Sequence, residues 1–105
     1  MAKSDSSPLR HRLKHVRTLA GYSQKKLGIE AGIDEFSSSA RMNQYETGKY
    51  VPDYITMVNI AKVLKIPPAY FYCDDDQLAE LIMLYGRLSK EKRESLVAFA
   101  ASITN

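Results

Sequence analysis

The segment from Ser23 to Gly48 constrains the fold more than any other part of this chain. Apolar residues recur at helical spacing on both sides of a turn that fits at Gly32, which predicts two short helices that each bury one side. The predicted buried residues are Leu27, Ala31 and Ile33 before and at the turn, and Met42 and Tyr45 after it. A compact two-helix unit of this kind can present its second helix to the major groove of DNA.

The second helix, predicted at about residues 38–47, carries small and amide side chains on its outer side. Asn and Gln amides can each bond two atoms of one base edge, and Arg can do the same with guanine. The residues predicted to contact bases are Ser39, Ala40, Arg41, Asn43 and Gln44. These polar residues alone fit a solvated face of an ordinary helical bundle equally well, so the neighbouring motifs decide between the two interpretations.

The neighbouring motifs resemble those of the Xre/Cro/CI-like helix-turn-helix regulators, whose DNA-binding domain is lambda-repressor-like. The resemblance runs from Leu9 to about Phe71. In chain order the matching features are Ser23 and Gln24, Gly28, Gly32, Glu46 and Gly48, Pro52, and the segment IAKVLKI from Ile60 to Ile66. Four extra residues in or near the segment DEFSS depart from the usual family spacing and affect the register of the base-contacting residues.

The resemblance implies contacts to DNA phosphates on both sides of the recognition helix, where unpaired N–H groups at a helix start also favour phosphate. The predicted phosphate-contacting residues are Ser23, Gln24, Lys25, Ser38, Lys49 and Tyr50. The resemblance further implies a partly buried, bidentate pair of Arg17 and Glu46 that joins the first helix to the end of the recognition helix. That pair is interpreted as structural.

The remaining sequence shows no sustained alternation of the kind that predicts a strand, so the predicted fold class is all-α. A five-helix lambda-repressor-like domain is expected over residues 8–73, and two additional helices over residues 74–105. The added helices carry more apolar residues than a hairpin can bury, so a homodimer through residues 75–103 is predicted. Folding of both helices back onto their own chain is the alternative. Residues 1–7 are polar and are predicted to be disordered.

The charge distribution agrees with a nucleic-acid partner for the motif. Residues 1–52 hold nine Lys or Arg against five Asp or Glu, whereas residues 53–105 hold six against seven. The basic excess therefore lies with the two-helix motif, as a face turned to phosphates requires. The single cysteine and the lack of a signal-like or membrane-length apolar run predict a cytoplasmic protein with no membrane partner.

Metal and catalytic sites are not predicted. His11 and His15 share a helix face but lack third and fourth ligands, and the run Asp74 to Asp76 is interpreted as helix-start carboxylates. No glycine-rich phosphate loop, nucleophile motif or metal cluster appears in the sequence, so no cofactor and no enzymatic activity are expected.

The sequence supports two candidate functions from different classes. The favoured one is a sequence-specific transcriptional regulator, with a repressor preferred, that binds double-stranded DNA as a dimer through a recognition helix at about residues 38–47. The alternative is a helical protein-interaction module or antitoxin-like protein, whose C-terminal helices bind a protein partner. Salt-sensitive DNA binding separates them, because phosphate contacts release counterions.

Overall fold

The computed structural model describes residues 7–104, and over that range it is entirely helical, without a strand. The six α-helices are α1 (Leu9–Leu19), α2 (Gln24–Glu30), α3 (Ser38–Thr47), α4 (Tyr54–Leu64), α5 (Asp76–Gly86) and α6 (Lys90–Ser102). The all-α fold class is confirmed. The fifth predicted helix is instead a 3₁₀ turn, Pro68–Tyr72, because extended backbone at Pro67 and Cys73 leaves it only five residues.

The prediction of disorder for residues 1–6 lies outside the described residues, as does Asn105. Ser7 lies within them, and its hydroxyl accepts a hydrogen bond of 3.2 Å from the backbone N–H of Leu9. It therefore supplies an acceptor at the start of α1, one residue before the N-cap residue, Pro8.

Side-chain caps set the starts of several helices. Ser23 accepts from the backbone N–H of Lys26 at α2, and Asp53 accepts from that of Thr56 at α4. At the other end of α3, Gly48 adopts a left-handed conformation with φ of 82°, which a glycine reaches without steric cost. The motif therefore has fixed boundaries on both sides of α3.

One hydrophobic core is shared by the four helices α1, α2, α3 and α4 and by the 3₁₀ turn. Its largest fully buried side chains are those of Leu13, Leu27, Met42, Met57, Ile60 and Phe71. Because α3 contributes only Ser38, Met42 and Tyr45 to the buried set, the opposite side of this helix is left to face outward.

α2 and α3 approach each other closely at Gly28. A Cβ atom added at Gly28 would lie 2.0 Å from Oγ of Ser38. That hydroxyl is fully buried and donates a hydrogen bond of 2.7 Å to the carbonyl oxygen of Lys25. The sequence predicts Ser37 or Ser38 as the N-cap of α3. Ser37 occupies that position, but its side chain makes no cap hydrogen bond, and the Ser38 hydroxyl is directed to α2.

We expect Gly28→Ala to lower the free energy of unfolding by about 1–3 kcal/mol, the usual cost of overpacking, despite alanine's better helix propensity. Removal of the conflicting hydroxyl should relieve most of that cost. In a double-mutant cycle followed by chemical denaturation, Gly28→Ala should cost much less in a Ser38→Ala background than in the wild type. Equal costs in the two backgrounds would show that the Gly28 contact does not limit the approach of the two helices.

The two C-terminal helices differ in how they are attached. α5 reaches the core through Ala79, which is buried, and Ile82 and Met83 pack partly against the same core. α6 has no buried residue, and two hydrogen bonds of 3.0 Å from the Arg93 guanidinium to carbonyl oxygens of Tyr85 and Gly86 hold it to the end of α5. The radius of gyration, 15.3 Å, exceeds the value of about 13 Å for a compact domain of this length, so the molecule is elongated.

Candidate nucleic-acid interface

The outward side of α3 carries the predicted base-contacting residues, which we call the reading face: Ser39, Ala40, Arg41, Asn43 and Gln44. Successive residues turn by about 100° around an α-helix. Ala40, Asn43 and Gln44 therefore point away from the buried side, while Ser39 and Arg41 lie on its two flanks. Four of the five residues are exposed, and Gln44 is half-buried. Thr47 shares the outward side and is also exposed, although the sequence interpretation did not include it.

Gln24 connects the start of α2 to the reading face. Its Nε2 donates to Oδ1 of Asn43 at 3.3 Å and to Oε1 of Glu46 at 3.1 Å. The amide N–H groups of Asn43 are then left as donors for another partner. Gln24 thus orients a residue of the reading face from the neighbouring helix.

Arg17 and Glu46 form a bidentate ion pair between α1 and the last turn of α3. Nε of Arg17 donates to Oε2 of Glu46, and Nη2 donates to Oε1 at 3.0 Å. Their side chains are only 12% and 3% exposed. Nη1 of Arg17 also donates to the carbonyl oxygen of Tyr22, at 2.9 Å. The guanidinium therefore fixes the end of α3 to α1 and to the loop before α2.

The predicted phosphate-contacting residues lie at two ends of the motif, with one exception. Ser23 and Lys25 are exposed at the start of α2, and Gln24 is half-buried there. Lys49 and Tyr50 are exposed just after α3, where the Lys49 ammonium lies 5.8 Å from the centre of the Tyr50 ring. The assignment of Ser38 is corrected: its side chain is fully buried against α2 and is not available to a phosphate.

The Arg41 flank of the reading face lies near the start of α4. Hydrogen bonds from Thr56 hold the pKa of Asp53 below its ordinary value, and the positive charge of Arg41 lowers it further. Asp53 is therefore ionised at neutral pH, and its charge attracts the Arg41 guanidinium on the flank of α3.

Two residues outside the sequence prediction are prominent in the structure. Arg12 lies with its guanidinium carbon 5.2 Å from the centre of the Tyr70 ring and donates to the carbonyl oxygen of Cys73 and to the Asp76 carboxylate, so it links α1 to the start of α5. Phe36, in the turn between α2 and α3, is 95% exposed. The extra residues in the DEFSS segment could have drawn attention to Phe36 from the sequence. The spacing of residues gave no indication that Arg12 links α1 to α5.

Comparison with solved structures identifies a protein that is similar over nearly its whole length. A crystal structure of the transcriptional regulator BswR is 48% identical to this chain, with a TM-score of 0.83, and the match covers 90% of this chain and 94% of that one. The chain belongs to the same family as BswR. The shared fold therefore extends well beyond the two-helix motif. No protein-family model matches the chain, and no curated protein matches it.

Membrane and metal features were sought in residues 7–104. None of the helices in that range combines the length and the apolar character needed to cross a membrane. Over the same range, no three His, Cys, Asp or Glu side chains are grouped as metal ligands would be.

Proposed function

We propose that this protein is a sequence-specific DNA-binding transcriptional regulator of the Xre/Cro/CI-like type, which places α3 in the major groove. The observation that carries the proposal is the attachment of α3: a buried ion pair and the Gln24 amide hold a helix whose outward side is small and polar. An exposed helix face that is held in one position suits recognition of the base edges of a DNA duplex, whose positions are also fixed. The name of its relative BswR, a transcriptional regulator, supports the same function.

The contacts divide into two kinds. The reading face supplies the base contacts, with Gln44 and Asn43 as amide readers and Arg41 as a candidate for guanine. Ser23, Gln24, Lys25, Lys49 and Tyr50 supply contacts to phosphates on either side of the groove, which position the protein without reading sequence. Occupation of such a site excludes other proteins from it, and on that basis we propose repression as the mode of action.

We further propose that the protein binds DNA as a homodimer through the C-terminal region, residues 75–103. Large apolar side chains remain exposed on α5, on α6 and at the C-cap of α6, namely those of Leu78, Leu81, Leu84, Tyr85, Val97, Phe99 and Ile103. A helix of 13 residues with none of them buried gains little from its own chain, and isolated helices of about that length are marginal in water. A second copy would cover these side chains and double the DNA contact area.

A protein-interaction module is the second candidate, because the same exposed apolar residues of α5 and α6 suit a different protein partner. The two candidates differ at α3. A protein-interaction module would not bind its partner through the reading face, so substitutions there would leave its affinity for that protein unchanged.

The proposed function is tested by two substitutions that separate base contacts from phosphate contacts. On a DNA site selected from random duplexes, Gln44→Ala should lower affinity by about 1–3 kcal/mol and affect random duplexes little, because base contacts specify. Lys49→Ala should weaken binding to all duplexes alike and reduce the dependence on salt. Fluorescence anisotropy titrations would measure both effects.

A Glu91→Gln substitution on α6 serves as the control, because Glu91 is exposed and lies far along the chain from the motif. If Gln44→Ala and Lys49→Ala each lower the affinity for the selected duplex and for random duplexes by the same factor, the assignment of the reading face is wrong. If neither the wild type nor any variant binds DNA, the interaction module becomes the better function.

A further inference from the structure

Phe36 is the most exposed large apolar side chain among the described residues, at 95%. Its turn is nevertheless well defined by hydrogen bonds. The Asp34 carboxylate accepts from the backbone N–H of Phe36 at 3.0 Å, and the Asp34 carbonyl oxygen accepts from the backbone N–H of Ser37 at 3.1 Å. The chain thus holds the backbone of Phe36 in a defined turn while its ring lies in water, where contact with an apolar group would be favourable.

The position of this ring connects it to the proposed DNA interface. Phe36 lies two residues before the first residue of α3, Ser38, and three before Ser39 of the reading face. Recognition helices contact base edges mainly with their N-terminal residues. Phe36 therefore lies at the end of α3 from which such contacts would be made.

The charge of the turn bears on which part of the DNA it can contact. Asp34 and Glu35 flank the ring, and both are exposed. Two carboxylates would be repelled by phosphates, so the turn is poorly suited to lie on the DNA backbone. Base edges in the major groove instead offer amino groups that can donate to carboxylates, and the thymine 5-methyl group, which is the apolar feature of that groove.

We infer that Phe36 is a specificity-determining residue that packs its ring against the 5-methyl group of a thymine at the edge of each half-site. This inference rests on the proposed function and adds to it one base preference outside the reading face. It also gives a role to the extra residues before α3, which extend the recognition surface by an aromatic contact.

The test replaces each thymine of the selected site in turn by deoxyuridine, which lacks only the methyl group. For the wild type, one symmetry-related pair of positions should show a loss of about fourfold per methyl, the fold-change that corresponds to one buried methylene-sized group. Phe36→Ala should bind the unmodified site more weakly and show no loss at those positions. Phe36→Leu, which keeps an apolar side chain, should retain part of the preference.

Leu19→Ala is the matched control, because it removes an exposed apolar side chain from the end of α1 and should keep the full preference for thymine. Equal losses of affinity on deoxyuridine substitution in the wild type and in Phe36→Ala would overturn the inference. An affinity of Phe36→Ala for the unmodified site equal to that of the wild type would also overturn it, and would indicate that the ring contacts a protein partner instead. Both outcomes leave the proposed function standing. A wild type that binds no duplex in a salt-dependent manner would instead overturn the proposed function itself, and this inference with it.

Discussion

Arg17→Ala should lower the free energy of unfolding by about 3–5 kcal/mol, the cost of leaving a buried charge without its partner. The Glu46 side chain is 3% exposed and would lose two of its three hydrogen-bond donors, keeping only the Gln24 amide. DNA affinity should fall as well, because the end of α3 would no longer be held to α1. Chemical denaturation and DNA titration of the folded fraction would measure the two effects separately.

Two further variants separate the ion pair from general damage. Arg17→Met combined with Glu46→Leu removes both charges and should recover much of the lost stability, since well-packed apolar residues often replace a buried pair without loss. Asp76→Ala breaks a second ion pair, between Arg12 and Asp76, whose carboxylate is 97% exposed, and should have little effect. A melting temperature of Arg17→Ala equal to that of the wild type would show that the pair does not stabilise the fold.

For the proposed homodimer, we expect Phe99→Glu to give a monomer at micromolar concentration. Phe99 is 62% exposed on α6, and a carboxylate placed at an interface of apolar side chains would be costly to desolvate. Loss of the second copy should reduce affinity for a two-fold symmetric site by about 100-fold or more, because the second half-site would no longer be bound at high effective concentration. Light scattering and DNA titration would follow the two changes.

Substitution in the full chain is preferable to truncation here. Ala79 of α5 is buried in the core, and Ile82 and Met83 pack against it, so a protein that ends before α5 would lose part of the core together with any interface. Leu19→Glu provides the control, since Leu19 is 72% exposed on α1, outside the C-terminal helices. A wild type that is monomeric, or a Phe99→Glu variant that remains dimeric, would refute this interface.

The periodic parts of the chain were predictable because helix formation depends on local spacing. Leu27 and Met42 lie on stripes that recur every three or four residues, and both are fully buried as predicted. The residues that cap α2 and α4 follow from the same local rules, with Ser23 and Asp53 in the positions that favour a helix start. Local physics was therefore sufficient for the helices themselves.

The parts that sequence reasoning missed depend on how helices cross. Ser38 looked like an exposed cap or phosphate contact, but the missing side chain of Gly28 lets α3 approach α2 so closely that this hydroxyl is buried. The exposure of Phe36 depends on the backbone of an inserted turn, for which periodicity carries no information. The attachment of α5 through Ala79 likewise required knowledge of which helix lies beside it.

The proposed role of α3 requires that the protein binds DNA in a sequence-specific manner. The most direct measurement compares binding of the wild-type protein to its selected duplex and to a scrambled duplex over roughly 50 to 200 mM salt. We predict that the selected duplex is bound at least about 10³-fold more tightly, and that the affinity for both falls steeply and linearly with the logarithm of salt concentration. Equal affinity for the two duplexes, or binding that does not depend on salt, would contradict sequence-specific recognition of DNA by this protein.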